Sequence, residues 1–229
     1  DFRYSTGDIY CQLFDNNGHR RGNNFKISSY TGHCISPDIA VRKDGSFGVC
    51  WRDTLTKFRL FNSNGIPISL EIYIDSLNNS IGSYSRISCD TLGNFLIVYE
   101  KYFSYSNVNI YFQRIDSLGN KIGNNTRIND DSTITCRHTN PVVTKRRDGS
   151  FIVAWQDTRP PAVQNGDDIY MQMFDKNGNK IGNNTRVNND TVMLDYQHLP
   201  KITSDDVGRF AIVFTEIPDA SGIPYNLLQ

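Results

Sequence analysis

One ten-residue pattern is written four times along this chain. Asp148-Gly149-Ser150-Phe151-Ile152-Val153-Ala154-Trp155-Gln156-Asp157 is its fullest copy; the others are DGSFGVCWRD (44–53), LGNFLIVYEK (92–101) and VGRFAIVFTE (207–216). Asp148-Gly149 is a tight-turn signal, because glycine takes positive φ without steric cost. Phe, Ile, Val and Trp then form a strand. The run is apolar at consecutive positions, the pattern of a strand covered on both faces. It is too short for a core helix, and turn residues bound it on both sides. The recurring aromatic, at 51, 99, 155 and 214, reads as packing.

Three further blocks recur in step with it. IYCQLFDNNG (9–18), FRLFNSNG (58–65), IYFQRIDSLG (110–119) and IYMQMFDKNG (169–178) form one set, and PYNLLQ (224–229) is a truncated relative. The second set is RRGNNFKIS, PISLEIYID, KIGNNTRIN and KIGNNTRVN; the third, preceding the central strand, is SPDIAVRKD, SRISCDTLG, NPVVTKRRD and PKITSDDVG. The unit therefore has four short strands, here A (PVVTKR-like), B (FIVAW-like), C (IYMQMF-like) and D (TRVN-like). The turn glycines 45, 93, 149 and 208 are spaced by about 48, 56 and 59 residues, close to a four-stranded propeller blade. No segment shows helical periodicity.

The expected fold is all-β, a β-propeller of four-stranded blades. Its expected divisions are a partial blade at 1–35, blades at about 36–84, 85–139 and 140–199, and a partial blade at 200–229. A β-sandwich is the structural alternative, but its strands should alternate in polarity. Strand C occurs five times and the others four, so the blades do not close evenly. That count predicts an incomplete segment of a longer propeller, or a blade split between chains.

Lys+Arg and Asp+Glu are both 24, so net charge is zero and nothing supports nucleic acid as a partner. No stretch approaches the ~18 apolar residues of a membrane span. The five cysteines, 11, 34, 50, 89 and 136, show no CxxC and no metal-ligand spacing. Cys50 stands where another copy has Ala154, as a small core residue. Beginning at Asp1 in mid-repeat, the chain reads as a mature or excised part of something longer.

The joined pattern at 140–188, from Pro-Val-Val through Asp-Gly-Ser-Phe-Ile-Val-Ala-Trp and Ile-Tyr-Met-Gln-Met-Phe to Thr-Arg-Val-Asn, resembles repeats of large secreted or surface-attached bacterial proteins, distantly sialidase-like. That resemblance implies a propeller and an extracellular or cell-surface setting, and it carries no catalytic residue across. The sialidase Asp-box is only partly matched: Asp148 and the aromatic are present, the Ser/Thr and Gly spacing is not.

Candidate sites follow from the repeat. The exits of strand B are acidic at Asp53, Asp157 and Glu216, with Glu100 one place earlier. With them on the face of the B–C and D–A loops fall Asp157, Arg159, Tyr196 and His198, the expected ligand-binding residues. Acids on that rim would serve as general acid and base in an enzyme, or cap strands in a binding module. His138 is expected in a D–A loop. The oxygen-rich turn Asp175-Lys176-Asn177-Gly178-Asn179 suggests calcium, but the other copies place His19 or Leu118 where ligands are needed, so turn chemistry is preferred and no cofactor or metal is expected. Sequons at Asn124 and Asn183 are candidate glycosylation sites, with others at Asn78 and Asn189.

These observations favour a non-enzymatic extracellular module for adhesion, surface assembly or binding of a glycan or protein. A secreted sialidase-like or other carbohydrate-active enzyme is one alternative. A structural subunit that polymerises with neighbouring copies of the chain is the other.

Overall fold

A computed structural model describes residues 7–29, 33–75, 84–132, 135–159, 166–189 and 196–217. These residues form five antiparallel sheets in chain order, with no helix among them. The first sheet pairs β1 (Tyr10–Phe14) with β2 (Arg20–Lys26). The second runs β3 (Ile35–Val41), β4 (Phe47–Arg52), β5 (Thr56–Phe61) and β6 (Ile72–Tyr73). The third runs β7 (Ser85–Cys89), β8 (Phe95–Ser104), β9 (Asn107–Ile115) and β10 (Lys121–Arg127). The fourth runs β11 (His138–Lys145), β12 (Phe151–Asp157), β13 (Asp168–Phe174) and β14 (Lys180–Arg186). The fifth pairs β15 (Tyr196–Ser204) with β16 (Phe210–Ile217). The terminal copy of strand C, at 224–229, lies outside the described residues.

The consecutive apolar residues of strand B are explained by packing on both sides. In β8, Phe95, Ile97 and Tyr99 join Phe58, Leu60 and Cys50 of the second sheet. Leu96 and Val98, between them in sequence, face Phe151, Val153 and Trp155 of the fourth. Two more clusters join the first sheet to the second and the fourth to the fifth. Each interior sheet thus packs on the sheet before it and the sheet after it. A two-layer sandwich cannot do this; blades fanned around an axis must.

The turns carry the expected chemistry. Gly149 has φ +84° and donates its N–H to the Arg146 carbonyl, while Asp148 Oδ1 accepts the Ser150 N–H at 2.9 Å. In the C–D turn Asp175 Oδ1 accepts the N–H groups of Asn177 and Asn179, each at 2.8 Å. Strand D brings a feature not foreseen. Its Gly-Asn-Asn segment bulges, with Gly182 at φ +70°, and the register slips between Met171 and Met173. The gap is filled by Gln172, whose Nε2 donates to the carbonyls of Met173, Ile181 and Gly182. Gln113 and Gln12 do the same in their own sheets. The second sheet lacks this Gln. There Arg59 reaches the Ser69 carbonyl instead, and the expected strand PISLEIYID is reduced to an isolated bridge at Pro67 and the short strand Ile72–Tyr73.

Side chains of the A–B turns bolt neighbouring sheets together. Arg42 lies over Phe95, 4.6 Å from the ring centroid, and Arg146 over Phe210 at 5.4 Å. In the third sheet Asp90 holds the corresponding place and pairs with Lys145 at 2.8 Å, both side chains buried. Lys145 and Arg146 are therefore inter-sheet contacts.

Candidate functional site

Successive residues of a strand point to opposite faces, and the exits of strand B use both. One position, 53, 101 and 157, closes ion pairs within or beside its own sheet. Asp53 meets Lys57 at 2.6 Å, with both side chains buried. Lys101 meets Asp75 at 2.9 Å. Asp157, fully buried, accepts the Trp155 indole N–H at 2.7 Å and the Arg159 Nε–H at 2.9 Å.

Arg159 is saturated. Its guanidinium donates to Asp130 and Asn184 as well as Asp157, and it covers the Tyr170 ring at 4.3 Å. These ion pairs hold the guanidinium's pKa above its usual range against the cost of burial. Asp130 follows β10 and Asn184 belongs to β14, so Asp157 and Arg159 clamp the third sheet to the fourth. His138 belongs to this clamp. It is not a loop residue but the first residue of β11, fully buried, with Nδ1 2.6 Å from the Val108 carbonyl and Nε2 3.0 Å from Asp131. Its counterparts Cys34 and Gln197 are buried too, because this position starts strand A beneath the preceding sheet.

The other position, 52, 100 and 156, faces the next sheet. Glu100 Oε1 accepts the backbone N–H of Asn140 at 2.7 Å, and Gln156 Oε1 that of Leu199 at 3.2 Å. Asn140 and Leu199 have φ of +51° and +53°, as does Ser36 at +54°. This left-handed conformation is rare for non-glycine residues. Each precedes a proline and sits at a register slip in strand A. The slip turns the N–H out of the ladder, and at Asn140 and Leu199 the side chain from the preceding sheet captures it.

A polar relay follows. The Asn140 amide donates to Gln156 Oε1, and Gln156 Nε2 lies 3.0 Å from Asp167 Oδ2 and 2.9 Å from His198 Nδ1. His198 Nδ1 is itself 3.4 Å from Asp167 and its ring stacks on Tyr196, centroids 5.7 Å apart. Burial pushes the Glu100 carboxyl up, opposed by the N–H groups of Asn140 and Tyr84. Burial also raises Asp167, opposed by Gln156, His198 and Arg137. The two acids differ in access. Glu100 is 1% exposed, whereas the side chains of Asp167 and His198 keep 20% and 27% of their surface.

The four residues expected to share a site thus fall in two groups. Asp157 and Arg159 sit in the inter-sheet clamp, while Tyr196 and His198 join Asp167 on the accessible side of the relay. Asp167, Gln156, Asn140 and Arg137 carried no signal of their own in the repeat; the displacement of Glu100 by one place was the available clue, because it reverses the face. Asn124 and Asn183 are exposed on β10 and β14, Asn189 is exposed after β14, and Asn78 lies outside the described residues. No group of three or more His, Cys, Asp or Glu suited to a metal ion occurs among the described residues.

No family model and no curated protein matches this sequence. Solved structures do. The α-L-arabinanase of Penicillium chrysogenum, complexed with arabinobiose, aligns with TM-score 0.61 and 12% identity over 93% of this chain and 62% of its own. The GH93 α-L-arabinofuranosidase of Fusarium graminearum, also with arabinobiose, gives 0.62 and 11% over 95% and 63%. A Bacteroides caccae protein of unknown function gives 0.52 and 10% over 95% and 68%. The likeness is one of fold, the β-propeller, and the chain spans a little under two thirds of the length of the two enzymes.

Proposed function

We propose that this chain is part of a carbohydrate-active β-propeller, with its glycan site where Asp167, His198 and Tyr196 meet, and Asp167 as proton donor to the glycosidic oxygen. The observation that carries the reading is the Asp167 carboxyl. It is partly exposed, its pKa is raised by burial, and it is held in place by Gln156 beside His198. A general acid must keep its proton near neutral pH, and desolvation is the means by which a protein arranges that. Glu100 is too buried to touch a substrate; it acts through Asn140 and Gln156 as a positioning residue. Glycoside hydrolysis takes a second carboxyl.

Two solved structures similar in fold were determined with arabinobiose bound, which supports the enzyme reading over the adhesion module that the repeat alone favours. Arabinose-containing glycans are accordingly the first substrates proposed. The resemblance to secreted and surface proteins supports a place outside the cell.

The test is binding and hydrolysis of arabinobiose and longer arabino-oligosaccharides by the wild type and by Asp167→Asn. Binding by both with hydrolysis by the wild type alone supports the assignment. Binding without hydrolysis by the wild type returns the protein to the class of binding modules. Hydrolysis that survives Asp167→Asn at the wild-type rate rejects Asp167 as the acid.

A further inference from the structure

The third sheet departs from its neighbours on the same face. In the fourth sheet the pairing of strands B and C stops at Asp157↔Asp168. In the third it continues past Lys101↔Asn109 through Tyr102↔Val108 to Ser104↔Asn107 and closes in a two-residue turn, Tyr105-Ser106. At about 3.4 Å per residue, this hairpin rises roughly 7 Å beyond the exit of the other B strand. Its base is pinned: Val108 donates its N–H to the Cys136 carbonyl at 3.2 Å and bridges to Arg137. Arg137 is pinned in turn to Thr158, its N–H donating to Oγ1 at 2.8 Å.

At the tip, Tyr105 is 82% exposed, and the Arg137 guanidinium lies 4.8 Å from its ring centroid. Nothing in the folding of the sheet requires an aromatic there. The Arg137 charge also acts on Tyr102, Glu100 and Asp167. Its Nε is buried and without a hydrogen-bond partner. Thr158 follows Asp157, whose strand partner Asp168 follows Asp167, so the bond to Thr158 sets Arg137 between the aromatic tip and the acid of the site.

Resting on the glycan reading above, we infer that Tyr105, backed by Arg137 and flanked by Tyr102, is a second saccharide subsite, continuous with the Asp167 site, taking one sugar ring of a chain longer than a disaccharide. A sugar presents a patch of C–H groups on one face, and a flat aromatic ring with one face free is its natural partner. The cation on the other face holds the ring in position.

The test is calorimetric binding of arabinobiose and longer arabino-oligosaccharides to the wild type, Tyr105→Ala and Tyr105→Phe. Tyr105 is so exposed that its removal should leave the fold intact, which the circular dichroism and melting temperature verify. The expected result is a roughly five- to tenfold weaker affinity of Tyr105→Ala for the longer chains, no change for arabinobiose, and retention by Tyr105→Phe. Equal affinity of wild type and Tyr105→Ala at every length overturns the subsite and leaves the Asp167 assignment standing. A wild type that binds none of these sugars overturns both.

Discussion

Gln172 offers the sharpest quantitative test of how these blades are held together. Its side chain is 1% exposed, and its amide donates to three carbonyls of the bulged strand pair, at 2.9, 3.1 and 3.2 Å. Its Oε1 accepts the Asn184 amide at 2.7 Å. Gln172→Ala removes two donor hydrogens, one acceptor and one methylene. At about 1 kcal/mol per net hydrogen bond and about 0.8 kcal/mol per methylene, the loss is about 3–4 kcal/mol. Gln12 bridges the same bulge in the half-sheet at the other end, but two of its three contacts are exposed. Water replaces them there, so Gln12→Ala should cost about 1 kcal/mol. Urea denaturation followed by tryptophan fluorescence reads the difference, since Trp51 and Trp155, the two tryptophans, are both buried. A shift in midpoint at constant slope measures stability alone. Equal losses in the two variants would refute the argument that burial, not bond count, sets the cost.

Three further outcomes are expected. Glu100 has its folded-state pKa raised, so its stabilising contribution is full below the ordinary glutamate value and is lost as pH rises through the raised one; Glu100→Gln should remove that decline, seen as urea midpoints that stay flatter as pH rises above the ordinary glutamate range. Gly48→Ala would place a Cβ 2.6 Å from Phe58 and 2.8 Å from Phe95, and overpacking of that kind should lower stability by about 1–3 kcal/mol in thermal or urea melts. Lys145→Met leaves the Asp90 carboxylate buried without its cation and should cost about 3 kcal/mol in the same melts, with much of it recovered in the Lys145→Met/Asp90→Asn double variant.

The candidate site was only half legible before folding. Acid at the end of strand B was visible at Asp53, Asp157 and Glu100, yet whether each one serves a partner sheet or a solvent-facing rim depends on the side of the strand it occupies. Glu100, one place out of line, points at Asn140 of the next sheet, while Asp157 turns into the clamp with Arg159 and His138. Arg159 looked free for a ligand because Asp130 and Asn184, the groups that occupy it, lie 29 and 25 residues away in sequence. Asp167 could not be singled out at all, since its raised pKa comes from burial, which no local pattern records.

What the chain states by itself is everything that depends on neighbours along the backbone. The Asp-Gly turns, the doubly covered FLIVY and FIVAW strands and the four-strand period are local in this sense, and together they leave a fan of sheets as the consistent arrangement. What folding alone decided is which residues of different sheets meet. The left-handed residues before Pro141 and Pro200 slip the register of strand A and turn their N–H groups toward the preceding sheet. That slip sets the partners of Glu100 and Gln156, and through them the place of Asp167; a contact between sheets is made in space, and the order of residues does not encode its distance.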